Sequence, residues 1–213
     1  MKKHTKIIFA LTALLLTATA GYAFFRQPEV MEKLLPASAV SPGAAGVLQA
    51  AAAEIGYHEK ATCDWLDGKT TNSGTENYTK YARDLAAEGY YNGNKNGYAW
   101  CDVFVDWCFY RCYGREAAER VECQTGDYGA GCSFSAQYYR DAGRYDDAPC
   151  PGDQIFFYEN GEIGHTGIVE SVNALQVTVI EGNCEDAVRR KIHLRRDPVI
   201  AGYGHPRWPE SQA

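Results

Sequence analysis

Three well-separated residues in this chain have the types needed for a cysteine nucleophile, its proton carrier and an orienting group. Cys101 follows a polar, glycine-punctuated stretch and lies at the start of an apolar run that extends to residue 113. His165 lies in a strand-like segment, and Glu181 ends the next such segment. A thiolate can attack a carbonyl, an imidazole can carry the proton, and an acid can fix the imidazole tautomer. These residue types predict acyl-transfer chemistry if the fold brings them together.

The apolar run after Cys101 predicts a helix over residues 101–113 that ends at Gly114. At a helix N-terminus, the macrodipole and the unpaired N–H groups favour the thiolate form of a cysteine. An N–H group of the first turn would also point toward a developing oxyanion. The residues just before the nucleophile are candidates for substrate contact, and they are Asn96, Tyr98 and Trp100.

His165 and Glu181 can cooperate only if they lie on one face of a β-hairpin. A three-residue loop over 172–174 predicts a register that places both on the same face, whereas a two-residue loop would place them on opposite faces. Asn183 follows Glu181 by two residues and is predicted to share its face. We therefore expect Glu181 to orient the histidine, with Asn183 either supporting it or completing the oxyanion site.

Helical patterns come first along the chain, and strand patterns follow. We predict helices over 47–55, 76–87, 101–113, 115–121 and 135–142, and strands over 154–158, 166–172, 176–180, 188–194 and 200–203. Helices followed by a run of neighbouring strands indicate an α+β fold, with N-terminal helices packed on an antiparallel sheet.

The N-terminus has the pattern of a targeting segment. Lysines precede an uncharged run over 7–25 that is long enough to cross a membrane. We predict four regions: a signal peptide or signal anchor over 1–25, a linker over 26–45, a catalytic domain over 46–208 and a tail over 209–213. The domain would then be secreted or anchored outside the plasma membrane, and only the N-terminal segment would contact the bilayer.

Charge and cysteine content limit the classes of partner and cofactor. The net charge of -6 argues against nucleic acid, and the basic run over 189–196 predicts a solvated strand face. The chain has eight cysteines. Cys123 and Cys132 could close a short disulfide loop, whereas Cys108 and Cys112 share one helical stripe and are predicted to be buried thiols. The cysteine spacing does not suit zinc, so we expect no metal site.

Four motifs together resemble the CHAP domain, the cysteine, histidine-dependent amidohydrolase/peptidase family. Their order and spacing match that family, and similarity is closest to the CHAP domains of bacterial and phage cell-wall lysins. The motifs are Tyr98-Ala99-Trp100-Cys101, Pro151-Gly152-Asp153, Gly164-His165-Thr166-Gly167-Ile168-Val169 and Glu181-Gly182-Asn183.

The resemblance implies a papain-like α+β fold and hydrolysis of an amide bond in peptidoglycan. The scissile bond would be either the N-acetylmuramoyl-L-alanine bond or a bond inside the stem or cross-bridge peptide. The family's nucleophile corresponds to Cys101, its base to His165 and its third residue to Glu181, with Asn183 two positions further on. We expect the protein to act as a monomer.

Some members of the family bind calcium through closely spaced acids near the start of the domain. The acids in that region here are Asp64, Asp67 and Asp84, and their spacing does not form a convincing calcium loop. We therefore predict a hydrolase that needs no cofactor.

Two other functions are compatible with parts of the sequence. An NlpC-type endopeptidase usually has Ser-Gly after its cysteine, whereas Asp102-Val103 follows here. A catalytically silent wall-binding or scaffold module of an export or conjugation apparatus would be expected to have lost Cys101 or His165, and both are present. The sequence thus favours an active cysteine hydrolase that works through a thioester intermediate.

Overall fold

Helices precede an antiparallel sheet in the computed structural model of the protein, which describes residues 42–125 and 130–209. Over these residues the helices are α1 (Pro42–Glu54), α2 (Lys80–Ala87), α3 (Cys101–Tyr113), α4 (Arg115–Val121) and α5 (Cys132–Asp141). The strands are β1 (Tyr145–Asp146), β2 (Gln154–Glu159), β3 (Glu162–Val172), β4 (Gln176–Cys184), β5 (Ala187–Leu194) and β6 (Ile200–Gly204). The predicted α+β fold is confirmed.

The predicted elements are all present, but several helices begin at other residues. Helix α1 begins at Pro42, inside the predicted linker, because proline is well suited to the first helical position. Helix α2 begins later than predicted, because the side chain of Thr79 caps it by accepting the N–H of Ala82 at 3.2 Å. Strand β1 was not predicted, since two residues are too few to show a period.

The two ends of the chain are described only in part. The predicted signal segment over 1–25 lies outside the described residues, as do most of the predicted linker and the end of the predicted tail. Within residues 42–125 and 130–209, no helix has the length and apolarity needed to cross a bilayer.

Helix α3 forms the centre of the helical layer. Every residue from Cys101 to Phe109 is buried, so this part of the helix is enclosed on all sides. Helices α1, α2 and α4 pack against it, as do strands β3 and β4. The ring of Trp208 stacks on Phe109 with centroids 5.5 Å apart. Cys108 is buried as predicted, but the prediction for Cys112 is wrong, because the last turn of α3 extends beyond the core and leaves Cys112 exposed.

The sheet has the order β1-β6-β2-β3-β4-β5 and is strongly curled. The rings of Phe157 on β2 and His193 on β5 are only 4.8 Å apart. In a flat sheet, three strand spacings would separate them by about 14 Å. The curled sheet encloses its own apolar cluster, which contains Ile155, Phe157, Val169, Val172, Val177, Val179 and Tyr203.

Gly182 lets β4 lie directly on α3. A Cβ atom at this position would lie 2.5 Å from the Cβ atom of Phe104, which is far inside van der Waals contact. Both the strand and the helix are held by other contacts, so neither can move away without loss of packing. The glycine between Glu181 and Asn183 therefore has a packing role beside the predicted catalytic acid.

We predict that Gly182→Ala lowers the free energy of unfolding by about 1–3 kcal/mol, because overpacking forces the strand away from the helix. Denaturant unfolding of the purified full chain measures this change. The matched control is Gly46→Ala in α1, where the added Cβ atom would lie 3.5 Å from the Cys112 sulfur. That control should be neutral or stabilising by up to about 1 kcal/mol, as expected for alanine in a helix. Equal stability of G182A and the wild type would contradict the packing role.

Candidate active site

Cys101 is the first residue of α3, and its side chain lies where the helical layer meets the sheet. The preceding residue, Trp100, is fully buried, and its indole N–H donates to Glu59 Oε2 at 2.7 Å. This bond and the burial of α3 fix the first turn of the helix. Cys101 itself retains 4% of its exposure, so the thiol is enclosed apart from a small opening. Cys101, the predicted nucleophile, thus lies at a helix N-terminus, as expected from the sequence.

His165 on β3 and Glu181 on β4 form a direct hydrogen bond. Nε2 of His165 lies 2.9 Å from Oε2 of Glu181, and the glutamate side chain is almost fully buried. Because Nε2 is engaged in this way, Nδ1 is the ring nitrogen left for the Cys101 thiol. The imidazole therefore has one nitrogen for the acid and one for the nucleophile.

A β-bulge places His165 and Glu181 on the same face. The predicted loop is wrong, since β3 and β4 close with Val172 opposite Val177. His165 is an odd number of residues from Val172, whereas Glu181 is an even number from Val177. A regular hairpin would therefore place their side chains on opposite faces of the sheet. Glu170 is an extra residue in β3, and beyond it the register is Val169 opposite Val179. This shift restores the shared face, as bulges near active sites often do.

Gly167 makes room for the glutamate to reach the histidine. It lies between Thr166 and Ile168, and a Cβ atom there would lie 2.8 Å from Cγ of Glu181 and 2.7 Å from Cγ1 of Val179. A larger residue would push the Glu181 side chain away from β3. Steric contact with Glu181 and Val179 thus explains why the last position of the Gly-His-Thr-Gly motif is a glycine.

The three side chains stabilise one another's charges. The hydrogen bond from Cys132, opposed by burial and assisted by His165, lowers the pKa of the Cys101 thiol to about 5. Burial alone would lower the pKa of His165, but its bonds to Cys101 and Glu181 raise it to about 10. Burial would raise the pKa of Glu181, but two histidines lower it to about 2. The site therefore holds a thiolate, an imidazolium and a carboxylate near neutral pH.

His193 is a second histidine on the same glutamate, and sequence reasoning missed its role. Its Nε2 lies 2.6 Å from Oε1 of Glu181, so each carboxylate oxygen has its own imidazole partner. The ring of Phe157 lies against both histidines, with centroid distances of 5.7 Å to His165 and 4.8 Å to His193. His193 thus holds Glu181 in place. The sequence did not distinguish His193, because it lies within a run of basic residues that was interpreted as a solvated strand face.

Three other residues of that basic run form ion pairs at the surface. Arg190 binds both carboxylate oxygens of Glu170 at 2.6 and 2.7 Å. Arg189 and Lys191 lie 3.1 and 3.5 Å from the carboxylate of Glu185. The prediction of a solvated strand face therefore applies to these three residues and is wrong for His193.

Asp102, directly after Cys101, connects three elements around it. Its carboxylate accepts the Gly131 N–H at 2.8 Å, the Ser135 hydroxyl at 2.9 Å and the Gln154 amide at 3.0 Å. These bonds hold the start of α5 and strand β2 against the start of α3. Asp102 is buried, so the cost of losing its partners is high.

The other predicted site residues have different positions. Trp100, predicted to contact substrate, is a core residue without exposed surface. Asn96 accepts the Thr79 N–H at 2.7 Å and so orders the loop before the nucleophile. Tyr98 is 67% exposed and is open to a ligand. Among the described residues, no hydrogen bond joins Asn183 to Cys101, His165 or Glu181. Its φ of 54° breaks the strand alternation on which its prediction relied.

Two of the three acids considered for calcium, Asp67 and Asp84, are already neutralised by an arginine. Both oxygens of Asp67 bind Arg83, at 2.7 and 3.0 Å. Asp84 also binds Arg83, at 2.7 Å, and accepts the Trp107 indole N–H at 2.9 Å. In the described part of the chain, no group of three histidine, cysteine or acidic side chains is arranged to hold a metal ion. Because Arg83 already supplies the cation between Asp67 and Asp84, these residues do not fit a calcium site.

All eight cysteines are free thiols, and one of them lies beside Cys101. The sulfur of Cys132 is 3.4 Å from that of Cys101. Cys123 is in the same buried cluster but is not bonded to Cys132, so the structure does not contain the loop disulfide considered from the sequence. The proximity of Cys132 was not predicted, because the two cysteines are far apart in the chain and only tertiary packing brings them together.

Comparison with known proteins identifies one family. The family model described as CHAP domain matches residues 93–183, a segment that contains Cys101, His165 and Glu181. A comparison with curated proteins finds no match to the chain. The family predicted from the four motifs is therefore confirmed over the segment that carries the site.

We predict that in Glu181→Gln the His165 imidazolium loses its proton at a lower pH than in the wild type. Removal of the carboxylate charge lowers the pKa of His165 from about 10, so the imidazolium is lost earlier as the pH rises. NMR titration of the His165 ring in the full chain measures the shift without any substrate, and the pH dependence of activity should follow it.

The matched control for this prediction is His193→Gln. The new amide can still donate to Oε1 of Glu181, so the carboxylate stays charged and the His165 titration should stay near the wild-type position. An unchanged His165 titration in E181Q would mean that Glu181 is not the counter-charge of the imidazolium.

Proposed function

The chain carries a CHAP domain, and we propose that it hydrolyses an amide bond of bacterial peptidoglycan through Cys101, His165 and Glu181. The supporting observation is the assembled thiolate, imidazolium and carboxylate, with the histidine between the acid and the thiol. All three groups come from one chain, which is consistent with a monomer. The bond is either the N-acetylmuramoyl-L-alanine amide or a peptide bond of the stem or cross-bridge.

The first half of the reaction forms a thioester. The Cys101 thiolate attacks the amide carbonyl carbon, and the carbonyl oxygen becomes an oxyanion near the first-turn N–H groups of α3. The imidazolium of His165 then gives its proton to the leaving nitrogen as the C–N bond breaks. Glu181 keeps the ring oriented and stabilises its positive charge throughout this step.

The second half of the reaction releases the acyl group. The now neutral His165 accepts a proton from a water molecule, and the resulting hydroxide attacks the thioester carbonyl. The C–S bond breaks, a carboxylic acid leaves, and the thiolate–imidazolium pair is restored. Exposed Tyr98 lies three residues before the nucleophile and is the candidate for contact with the bound peptide or sugar.

A catalytically silent wall-binding or scaffold module is the alternative function. Such a module has no need for a charged thiolate, and buried charges are costly unless they are paired. Here Cys101, His165, Glu181 and His193 form a complete chain of paired groups. This arrangement supports the hydrolase over the silent module.

We further propose that the domain works outside the plasma membrane and is either released or anchored by residues 1–25. The support is the lysine-rich start and the uncharged run that follows it. Fractionation of producing cells, with N-terminal sequencing of the protein, tests this proposal. A released protein that lacks the first residues indicates a signal peptide, and a membrane-bound protein that keeps them indicates an anchor. A full-length protein in the soluble interior of the cell would contradict export.

We predict that the full chain digests purified peptidoglycan and that Cys101→Ala abolishes this activity. Mass spectrometry of the products identifies the bond. Intact stem peptides and free glycan indicate an amidase, and cleaved stems or cross-bridges indicate an endopeptidase. The chemistry requires a thiolate at position 101, so the loss in C101A should be complete.

The matched control is Cys108→Ala, which removes a buried thiol from the same helix without touching the site. This variant should retain the product pattern, although some loss of stability is expected from the smaller side chain. Absence of products from several wall types with the folded wild-type protein would reject the hydrolase and favour the silent module.

A further inference from the structure

Two helices present their first residues to each other at the nucleophile. Cys101 begins α3 and Cys132 begins α5, and their sulfur atoms are 3.4 Å apart. The remaining exposure of the two residues is 4% and 6%. A buried pair of thiols at this distance is close to bonding geometry, because a disulfide needs a separation of about 2.05 Å. The sulfurs would have to approach by about 1.4 Å to reach bonding distance.

The surrounding contacts hold this pair in place. Asp102 accepts hydrogen bonds from Gly131, which directly precedes Cys132, and from Ser135, which follows it by three residues. The start of α5 is therefore fixed to the start of α3 by the residue next to the nucleophile. Because the backbone is held on both sides, the pairing of Cys101 with Cys132 is specified by the fold.

The two sulfurs differ in the way that a nucleophilic thiol and a resolving thiol differ. Cys132 donates a hydrogen bond to the Cys101 thiolate, which lowers the pKa of Cys101. The same bond, together with burial, raises the pKa of Cys132. Cys101 is thus the sulfur that attacks first, and Cys132 keeps its proton until Cys101 has reacted.

We propose that Cys101 and Cys132 form a reversible disulfide in the presence of a low-molecular-weight disulfide, and that this bond switches the hydrolase off. The regulatory part of this inference rests on the proposed function, whereas formation of the bond does not. Cys132 is then a modification site paired with the nucleophile, in addition to its hydrogen-bonding role.

The reaction proceeds by two thiol–disulfide exchanges. The Cys101 thiolate attacks one sulfur of the oxidant RSSR, which forms a mixed disulfide and releases one RS⁻. Cys132 loses its proton to that thiolate and attacks the Cys101 sulfur, which forms the protein disulfide and releases the second thiolate. The protein thiols lose two electrons, and RSSR gains them as one RSH and one RS⁻, which takes its proton from the His165 imidazolium or from solvent. Reduction by an excess of dithiol reverses both steps.

The test uses the full chain treated with oxidised glutathione and then analysed by mass spectrometry without reduction. Trypsin separates the two cysteines into peptides 96–111 and 121–140, so the cross-link joins two different peptides. We expect the wild type to lose two hydrogens and to carry no glutathione at Cys101. We expect Cys132→Ser to retain glutathione on Cys101, because no resolving thiol remains. A stable mixed disulfide on wild-type Cys101 would overturn the proposal.

Two further variants identify the bonded pair. Each tryptic peptide contains one other cysteine, Cys108 or Cys123. The variants Cys108→Ser and Cys123→Ser should still form the cross-link, and Cys123→Ser is the closer control because it lies in the same buried cluster. Loss of the cross-link in either variant would overturn the assignment to Cys101 and Cys132.

Activity measurements separate this inference from the proposed function. The loss of peptidoglycan digestion should match the fraction of cross-linked protein, and dithiol should restore it. A cross-link in a protein that never digests peptidoglycan would reject the hydrolase but leave the thiol pair established. Full activity in cross-linked protein would overturn the switch, because a disulfide-bonded sulfur cannot attack a carbonyl.

Discussion

Burial of α3 on every side is the constraint on which the rest of the site depends. A helix enclosed by three other helices and by two strands cannot shift or rotate, so its first residue has one position. The Cys101 sulfur then lies next to His165 of the sheet and Cys132 of α5. Gly182 contributes directly, because its lack of a side chain lets β4 approach Phe104 on the helix. The position of the Cys101 sulfur therefore comes from packing, whereas its lowered pKa comes from the neighbouring polar groups.

Charge inside this core has to be paired, and the pairs form a continuous series. The Cys101 thiolate has Cys132 and His165 as partners, His165 has Glu181, and Glu181 also has His193. Isolated buried charges would be far more costly than these paired ones. The same series explains the function proposed for the site, because a proton can move from the histidine while the glutamate stays charged.

Three further buried acids lie in the helical layer, and one of them, Asp102, directly follows Cys101. Burial raises the pKa of Asp102 and that of Glu122 well above their usual range, and it raises that of Asp106 to about 6. The hydroxyl of Tyr91 and the amide of Gln124 also donate to Asp106. A raised carboxyl pKa means less negative charge beside the thiolate at a given pH. For Asp102 and Glu122, the raised pKa reduces the negative charge that would oppose a thiolate at Cys101.

The amino-acid sequence by itself determined the fold class and the order of the elements, and it predicted the family over residues 93–183 and the three residues of the proposed site, Cys101, His165 and Glu181. These follow from local patterns: an apolar run after Cys101, alternation in the strands and glycines next to His165 and Glu181. Tertiary structure alone decided the bulge at Glu170, the approach of Cys132, the role of His193 and the burial of Trp100. Each of these depends on contacts between distant segments, and a local pattern carries no information on which distant segments will meet.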